Sequence, residues 1–209
     1  MKIKVCGMRS PENIATLAAL QPDYMGFIFW EPSKRFVGEA TPILPPSIEK
    51  TGVFVDASVD YITKQVALHQ LQAVQLHGKE SPEFCQKLQL SGVEIIKAFA
   101  VDASFDFLPL YAYESVCDYY LFDTKGPLPG GNGSRFDWSV LRDYPSAKPF
   151  FLSGGIGPGD AAAITSIISL NLPLYAVDIN SKFESEPGLK NIEIIKQFKA
   201  TLTHEISGR

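Results

Sequence analysis

The sequence predicts a single (β/α)8 barrel, and three observations support this prediction. Short apolar, β-rich runs recur at intervals of roughly 20 to 30 residues along the chain. Most of these runs are apolar throughout rather than alternating, which is typical of parallel strands buried on both faces. Segments with helical spacing separate them. Right-handed crossovers between parallel strands produce either a closed barrel or an open doubly wound sheet.

Eight such runs occur, and the number favours the barrel. The chain has 209 residues, which is at the small end of the size range for this fold. The CGMRSP segment that follows the first run also lacks the GxGxxG fingerprint of an open dinucleotide-binding sheet. We therefore predict one barrel domain over residues 1–209. The predicted strands are 3–6, 24–29, 52–55, 73–77, 94–99, 119–123, 149–153 and 174–179.

Five connecting segments carry helix signals. Ser10, Pro11 and Glu12 form a typical helix start, with a capping hydroxyl, a proline in the first turn and an early acidic residue. Segment 36–50 contains three prolines, so we expect a short or broken helix there. Segment 104–116 is aromatic-rich, and we expect it to be helical. The five predicted helices are 11–20, 58–70, 81–90, 158–170 and 189–203.

Composition excludes several classes of function. The net charge of −4 provides no basic stripe for a nucleic acid. No signal peptide and no apolar stretch approaching 18 residues is present, so we expect no membrane contact and a cytoplasmic location. The three cysteines are far apart and lack CxxC or paired histidine spacing, which argues against disulfides and zinc. We expect neither a metal nor an organic cofactor.

Barrel enzymes collect their catalytic residues at the carboxyl ends of the strands, where this chain places Cys6, Asp123 and Asp178. Cys6 is either a buried structural cysteine or a reactive thiol, and Gly7 directly after it favours the second interpretation. Asp123 and Asp178 each end an apolar strand, where a carboxylate is either a turn cap or a functional acid or base.

A phosphate site is predicted from SGGIGPGDA, which follows the seventh strand. Gly154 and Gly155 lie at the strand end before a predicted helix, where backbone N–H groups favour anions. Asn180 and Ser181 follow the eighth strand, which commonly completes such a site.

Two further loops are open to two interpretations each. In EPSKRF, Arg35 is either part of a solvated loop or a fork that binds a substrate carboxylate. The loop 126–138 after the sixth strand is either a plain linker or a lid over the site.

Seven motifs, in order from residue 3 to about residue 195, resemble the phosphoribosylanthranilate isomerase family. This resemblance implies a barrel that converts N-(5-phosphoribosyl)anthranilate to the corresponding carboxyphenylamino-deoxyribulose phosphate in tryptophan biosynthesis. No cofactor is implied, the only partner is the phosphorylated substrate, and a monomer and a homodimer both remain open. The motifs are KVCGMRSPENI, GFIFWEPSKRFV, GVFVD, AVQLHG, FDTKGPLPGGNGSRFDW, FLSGGIGP and YAVDINSKFESEPGLKN.

The resemblance also implies a role for individual residues. Cys6 corresponds to the general base that removes the proton from C2 of the ribose, and Asp123 to the general acid that protonates the ring oxygen. Arg35 corresponds to the position that holds the anthranilate carboxylate, and Asp178 to a carboxylate that contacts the substrate. The phosphate contacts correspond to Gly154, Gly155, Asn180 and Ser181.

The chain departs from the family pattern after the eighth strand. DINSKFE stands where the family usually has two serines followed by Gly-Val-Glu, so Asn180 replaces a serine and Lys182-Phe183 replaces Gly-Val. Two other functions use the same fold. A Schiff-base aldolase requires an inward lysine, for which Lys97 is the candidate, and a non-catalytic metabolite sensor would have lost Cys6 or Asp123.

Overall fold

The computed structural model describes residues 1–89, 92–126 and 135–207. Eight parallel strands form a closed barrel, in which each strand pairs with the next along the chain and the last pairs with the first. This confirms the predicted fold class. The strands are β1 (Lys2–Val5), β2 (Tyr24–Ile28), β3 (Glu49–Phe54), β4 (Ala73–Leu76), β5 (Glu94–Val101), β6 (Tyr119–Thr124), β7 (Phe150–Leu152) and β8 (Leu174–Ile179).

In the part of the chain that the structure describes, five α-helices pack outside the barrel, and hydroxyl caps begin three of them. The Oγ atoms of Ser10, Ser58 and Ser81 each accept a bond from the backbone N–H three residues later. Within the described ranges, no helix has the length and apolar composition needed to cross a membrane. The helices are α1 (Pro11–Ala18), α2 (Val59–His69), α3 (Pro82–Gln89), α4 (Ala161–Ile168) and α5 (Ile192–Ser207).

Two helix starts differ from the predictions of 158 and 189. Helix α4 begins only at Ala161, because the N–H of Gly157 donates to the Asp160 carboxylate at 2.7 Å in a turn before the helix. Leu189 and Lys190 form strand β10 (Leu189–Lys190), which pairs with β9 (Glu184–Glu186) in a short hairpin. Helix α5 therefore starts at Ile192.

The connections without an α-helix also differ from expectation. Residues 36–48 contain no helix, since prolines at 42, 45 and 46 remove the backbone donors that a helix needs. Within 104–116 only the 3₁₀ helix Leu108–Tyr113 forms, and a second one spans Trp138–Asp143. Residues 127–134 of the loop 126–138 lie outside the described residues, so neither its linker nor its lid interpretation is tested.

The barrel interior is apolar at one end and polar at the other. Because side chains alternate along a strand, the position two residues after an interior residue also faces inward. Gln75, Asp123, Ser153 and Asp178 each stand two residues after a member of the interior cluster and occupy the carboxyl end of the barrel. The interior apolar cluster consists of Tyr24, Ala73, Ile96, Ala98, Leu121, Phe151 and Ala176.

Candidate active site

A buried ion pair joins β1 to β8 below Cys6. The ammonium of Lys4 lies 2.9 Å from Oδ1 of Asp178, and the Lys4 side chain is fully buried. Ser153 on β7 donates its hydroxyl to Oδ2 of the same carboxylate at 3.2 Å. Both charges therefore have a partner, as a buried ion pair requires for stability.

Cys6 lies two residues after Lys4 on the same face and is 4% exposed. Burial raises the pKa of its thiol above the usual value, and the nearby Asp178 carboxylate acts in the same direction. The ammonium groups of Lys4, which hydrogen-bonds the thiol, and Lys190 act in the opposite direction without cancelling the effect of burial. Two buried cations thus favour the ionised form of the thiol, against the effect of burial.

Asp123 on β6 is hydrogen-bonded on both carboxylate oxygens. Oδ1 accepts the N–H of Thr124 at 2.8 Å, and Nε2 of His77 lies 3.1 Å from Oδ2. The other ring nitrogen of His77, Nδ1, lies 2.6 Å from the amide nitrogen of Gln75. A chain of three side chains therefore runs from β4 to the Asp123 carboxylate.

Arg35 is held by Glu184, which lies after β8. Glu184 accepts bonds from Nε of Arg35 at 2.8 and 3.1 Å and from Nη2 at 2.6 Å. The buried ammonium of Lys190 pairs with the same carboxylate and with Oδ1 of Asn180. Burial alone would raise the pKa of Glu184, but Arg35 and Lys190 hold it below its usual value. Within the described residues, Nη1 of Arg35 has no protein acceptor.

The loops after β7 and β8, where the phosphate site is predicted, adjoin each other, since a Cβ on Gly157 would lie 3.2 Å from Cδ of Lys182. Gly154 and Gly155 have φ of +87° and +61°, a region that favours glycine. A Cβ atom on Gly154 would lie 2.5 Å from the nitrogen of Thr124 and 2.8 Å from Oδ1 of Asp123, so only glycine fits against the general-acid candidate. Ser181 begins the 3₁₀ helix Ser181–Phe183, directly after Asn180.

All eight predicted site residues lie around the carboxyl end of the barrel. The Lys4 ammonium contacts both Asp178 and the Cys6 thiol, and Gly154 adjoins Asp123. Arg35 and Asn180 meet at Gly7, because a Cβ there would lie 2.6 Å from Cδ of Arg35 and 2.8 Å from Oδ1 of Asn180.

A family model described as N-(5'-phosphoribosyl)anthranilate (PRA) isomerase matches residues 3–201. The chain belongs to this family. It is 46% identical over 211 aligned residues to the N-(5'-phosphoribosyl)anthranilate isomerase of Parabacteroides distasonis, covering 98% of this chain and 94% of that protein. It is 40% identical to the relative of the same name from Phocaeicola vulgatus, with 99% and 100% covered.

Solved structures of PRA isomerases have the same fold. The enzyme from Thermotoga maritima matches with a TM-score of 0.82 and 30% identity, covering 98% of this chain and 99% of that chain. A PRA isomerase in complex with reduced 1-(o-carboxyphenylamino)-1-deoxyribulose 5-phosphate matches with a TM-score of 0.79 and 30% identity, at the same coverage. The chain is a PRA isomerase that catalyses the aldose–ketose rearrangement of N-(5'-phosphoribosyl)anthranilate in tryptophan biosynthesis.

The position of Lys97, as well as the family of the chain, excludes the Schiff-base aldolase function. Lys97 stands between Ile96 and Ala98, which face the barrel interior, so its own side chain lies outside. Its ammonium donates to Glu80 at 3.0 Å and to the carbonyl of Gly78 at 2.8 Å. In this PRA isomerase Lys97 is thus a buried structural cation and not an inward nucleophile.

The sequence analysis missed several polar residues of the site. Lys4 stands two residues before Cys6, and Gln75 stands two residues before His77, the last residue of the predicted strand 73–77. Period-two spacing could therefore have found both. Glu184 and Lys190 carried no local signal, because they pair only once the β9–β10 hairpin folds back. Over the described ranges, no cluster of three or more His, Cys, Asp or Glu side chains is arranged to bind a metal ion.

Proposed function

We propose that Cys6 is the general base and Asp123 the general acid of the PRA isomerase reaction. One arrangement supports this assignment. A thiol following β1 and a carboxyl group on β6 face the interior at the same end of the barrel, and each has a partner for its charged form. These partners are Lys4 for the thiolate and His77 for the carboxylate.

The proposed reaction begins with protonated Asp123 and ionised Cys6. Asp123 gives its proton to the ring oxygen as the bond from C1 to that oxygen breaks, which opens the furanose and leaves a protonated Schiff base between C1 and the anthranilate nitrogen. The Cys6 thiolate then takes the C2 proton and forms an enolamine. The enolamine then gains a proton at C1 from the Cys6 thiol and loses the C2 hydroxyl proton to the Asp123 carboxylate, which yields the ketone and restores both groups. One acid and one base suffice for this sequence.

We propose that the remaining predicted residues bind the two ends of the substrate. Arg35 offers Nη1 to the anthranilate carboxylate while Glu184 holds the rest of its guanidinium. Gly154, Gly155, Asn180 and Ser181 line the phosphate site at the loops after β7 and β8. Asp178 contacts the ribose, beside Cys6. Binding energy from the two ends then positions the reacting carbons.

The direct test is turnover of N-(5'-phosphoribosyl)anthranilate by the purified chain, followed through the fluorescence of its anthranilate group. We expect consumption without an added organic cofactor, and an unchanged rate after EDTA treatment. A folded protein that leaves the substrate unchanged, or one that EDTA inactivates, would contradict the proposed acid–base mechanism.

Lys4→Met is expected to lower kcat/KM at neutral pH, because it raises the pKa of the Cys6 thiol further. Removing the Lys4 cation and leaving Asp178 unpaired both act in this direction. Cys6 acts only as a thiolate, and at a pH below its pKa each rise of that pKa by one unit lowers the thiolate fraction about tenfold. Steady-state kinetics measure the loss of kcat/KM, and the pH dependence of Cys6 alkylation measures the thiol pKa.

The matched control for this variant is Lys97→Met, which removes another buried, paired lysine that lies outside the barrel. Provided that both variants remain folded by circular dichroism, we expect Lys97→Met to leave kcat/KM and the pH dependence of Cys6 alkylation unchanged. If Lys4→Met also leaves both unchanged, the ammonium does not stabilise the thiolate.

We further propose that residues 1–209 form one domain, that the protein acts in the cytoplasm, and that it acts as a monomer or a homodimer. A single apolar cluster between the barrel and its helices includes residues from Ile3 to Leu202, which supports one domain. A PRA isomerase from Thermotoga maritima, 29% identical to this chain, is described as dimeric. Sedimentation velocity of the full chain distinguishes the two assemblies.

A further inference from the structure

We propose that Gln75 and His77 are positioning residues that control proton donation by Asp123. Gln75 selects the His77 tautomer that carries its proton on Nε2, and this N–H then stabilises the Asp123 carboxylate that remains after the proton has moved to the ring oxygen. The inference rests on the proposed role of Asp123 as the general acid. The observation behind it is the continuous contact of Gln75 with His77 and of His77 with Asp123.

The tautomer of His77 follows from the groups that its two ring nitrogens contact. The amide nitrogen of Gln75 can only donate, so Nδ1 of His77, at 2.6 Å, must accept. A neutral imidazole that accepts at Nδ1 carries its proton on Nε2, which lies 3.1 Å from Oδ2 of Asp123. His77 therefore donates to Asp123. The bond strengthens when Asp123 becomes charged, because hydrogen bonds to ionised acceptors are the stronger ones.

The state of the Gln75 amide shows that it is held for this contact. Its carbonyl oxygen Oε1 is buried and has no hydrogen-bond partner within the described residues. Gln75 is itself only 1% exposed, on a strand that is buried along its whole length. A buried polar atom without a partner costs free energy and calls for an explanation, and the contact of the amide nitrogen with His77 provides one. The amide nitrogen fixes the histidine ring.

Charged groups around the pair are engaged in contacts of their own. Lys97 on β5 is paired with Glu80, and Lys125 after β6 is paired with Asp102. On the opposite side of the interior, Lys4 is paired with Asp178 beside Cys6. Asp56, after β3, accepts the backbone N–H of Lys79. Among the described residues, His77 is thus the side chain that contacts Asp123 through a titratable group.

Two substitutions at Gln75 are expected to lower kcat while leaving KM unchanged, because the amide holds His77 and does not bind the substrate. Gln75→Met releases His77 from the Nε2–H tautomer, so the Asp123 carboxylate that forms during proton donation loses part of its stabilisation. Gln75→Glu presents an acceptor to Nδ1 of His77 and draws the ring proton to that nitrogen, which removes the donor at Nε2.

The experiment measures kcat and KM for both variants and for Gln72→Met, the matched control. Gln72 lies just before the other end of β4, where its side chain bonds the backbone of Lys50 and Gln70. We expect kcat to fall about tenfold in the Gln75 variants, with KM unchanged, and both constants to stay unchanged in Gln72→Met. A kcat that does not fall in the Gln75 variants would overturn the proposal, and so would a loss of activity that appears in KM.

Nitrogen-15 spectra of histidine-labelled wild-type protein test the tautomer without any variant at position 75. The chain has three histidines, so His77→Asn assigns the signal. We expect a protonated Nε2 and an unprotonated Nδ1, and the reverse would overturn the proposal. If Asp123→Asn keeps its activity, the proposed general acid is wrong. If Asp123→Asn is inactive while the Gln75 variants keep the wild-type kcat, only the role of Gln75 and His77 is wrong.

Discussion

Cys6→Ala is expected to lower kcat by roughly 10²- to 10⁴-fold, because alanine cannot accept the C2 proton and a positioned acid or base contributes about that much. KM is expected to change little, since the phosphate and carboxylate ends of the substrate bind elsewhere. The fluorescence assay measures both constants. Removing the thiol does not disturb the buried ion pair between Lys4 and Asp178, so the variant should fold.

The matched control for Cys6→Ala is Cys117→Ala. Cys117 is also a buried free cysteine, but its thiol contacts the carbonyl of Tyr113 outside the barrel, and burial raises its pKa to about 12. It therefore stays a thiol at neutral pH, and its loss leaves kcat unchanged. Cys6→Ala with kcat near that of Cys117→Ala would show that another group removes the C2 proton.

Asp123→Asn is expected to lower kcat to a similar extent, because it removes the proposed general acid rather than the general base. The amide keeps the shape of the carboxyl group, and it can still accept from Thr124 through its oxygen. It cannot give a proton to the ring oxygen, so the furanose opens slowly and kcat falls by roughly 10²- to 10⁴-fold. Steady-state kinetics at the pH optimum measure this loss, with circular dichroism to confirm the fold.

The control for this variant lies directly before the same strand. Asp118 stands just before β6, where Oδ2 accepts the N–H of Ile95 at 2.7 Å at the other end of the barrel. Asp118→Asn makes the same chemical change away from the site and should leave kcat unchanged. Equal activity in the two variants would exclude Asp123 as the general acid.

Most of the fold could be predicted because the strand pattern is strong. Parallel barrel strands are buried on both faces, so each is a short apolar run that is visible in the sequence. The helix starts at Ser10, Ser58 and Ser81 were predicted correctly because capping is a local interaction. The prediction of a short or broken helix in segment 36–50 was wrong, since the prolines there exclude the helix rather than only shortening it.

The candidate site was predicted in part. Cys6, Asp123 and Asp178 stand at strand ends, and a barrel brings all its strand ends to one face. Which side chains touch was not accessible from spacing. Arg35 and Glu184 are 149 residues apart in sequence, and their contact depends on the short hairpin that follows β8. The start of α4 was predicted three residues too early, because the Asp160 carboxylate bonds the backbone before the helix.

The sequence by itself determined the fold class, the family and the type of residue at each strand end. These depend on local patterns, which can be recognised without knowing which residues are in contact. Only the tertiary structure decided the partners of those residues. Lys4 meets Asp178 across 174 positions, and His77 meets Asp123 across 46. The physical reason is barrel closure, which brings inward-facing side chains from distant strands into one buried layer. In that layer each charge needs a partner, and the partners control the charged state of the thiol and hold the Asp123 carboxylate in place.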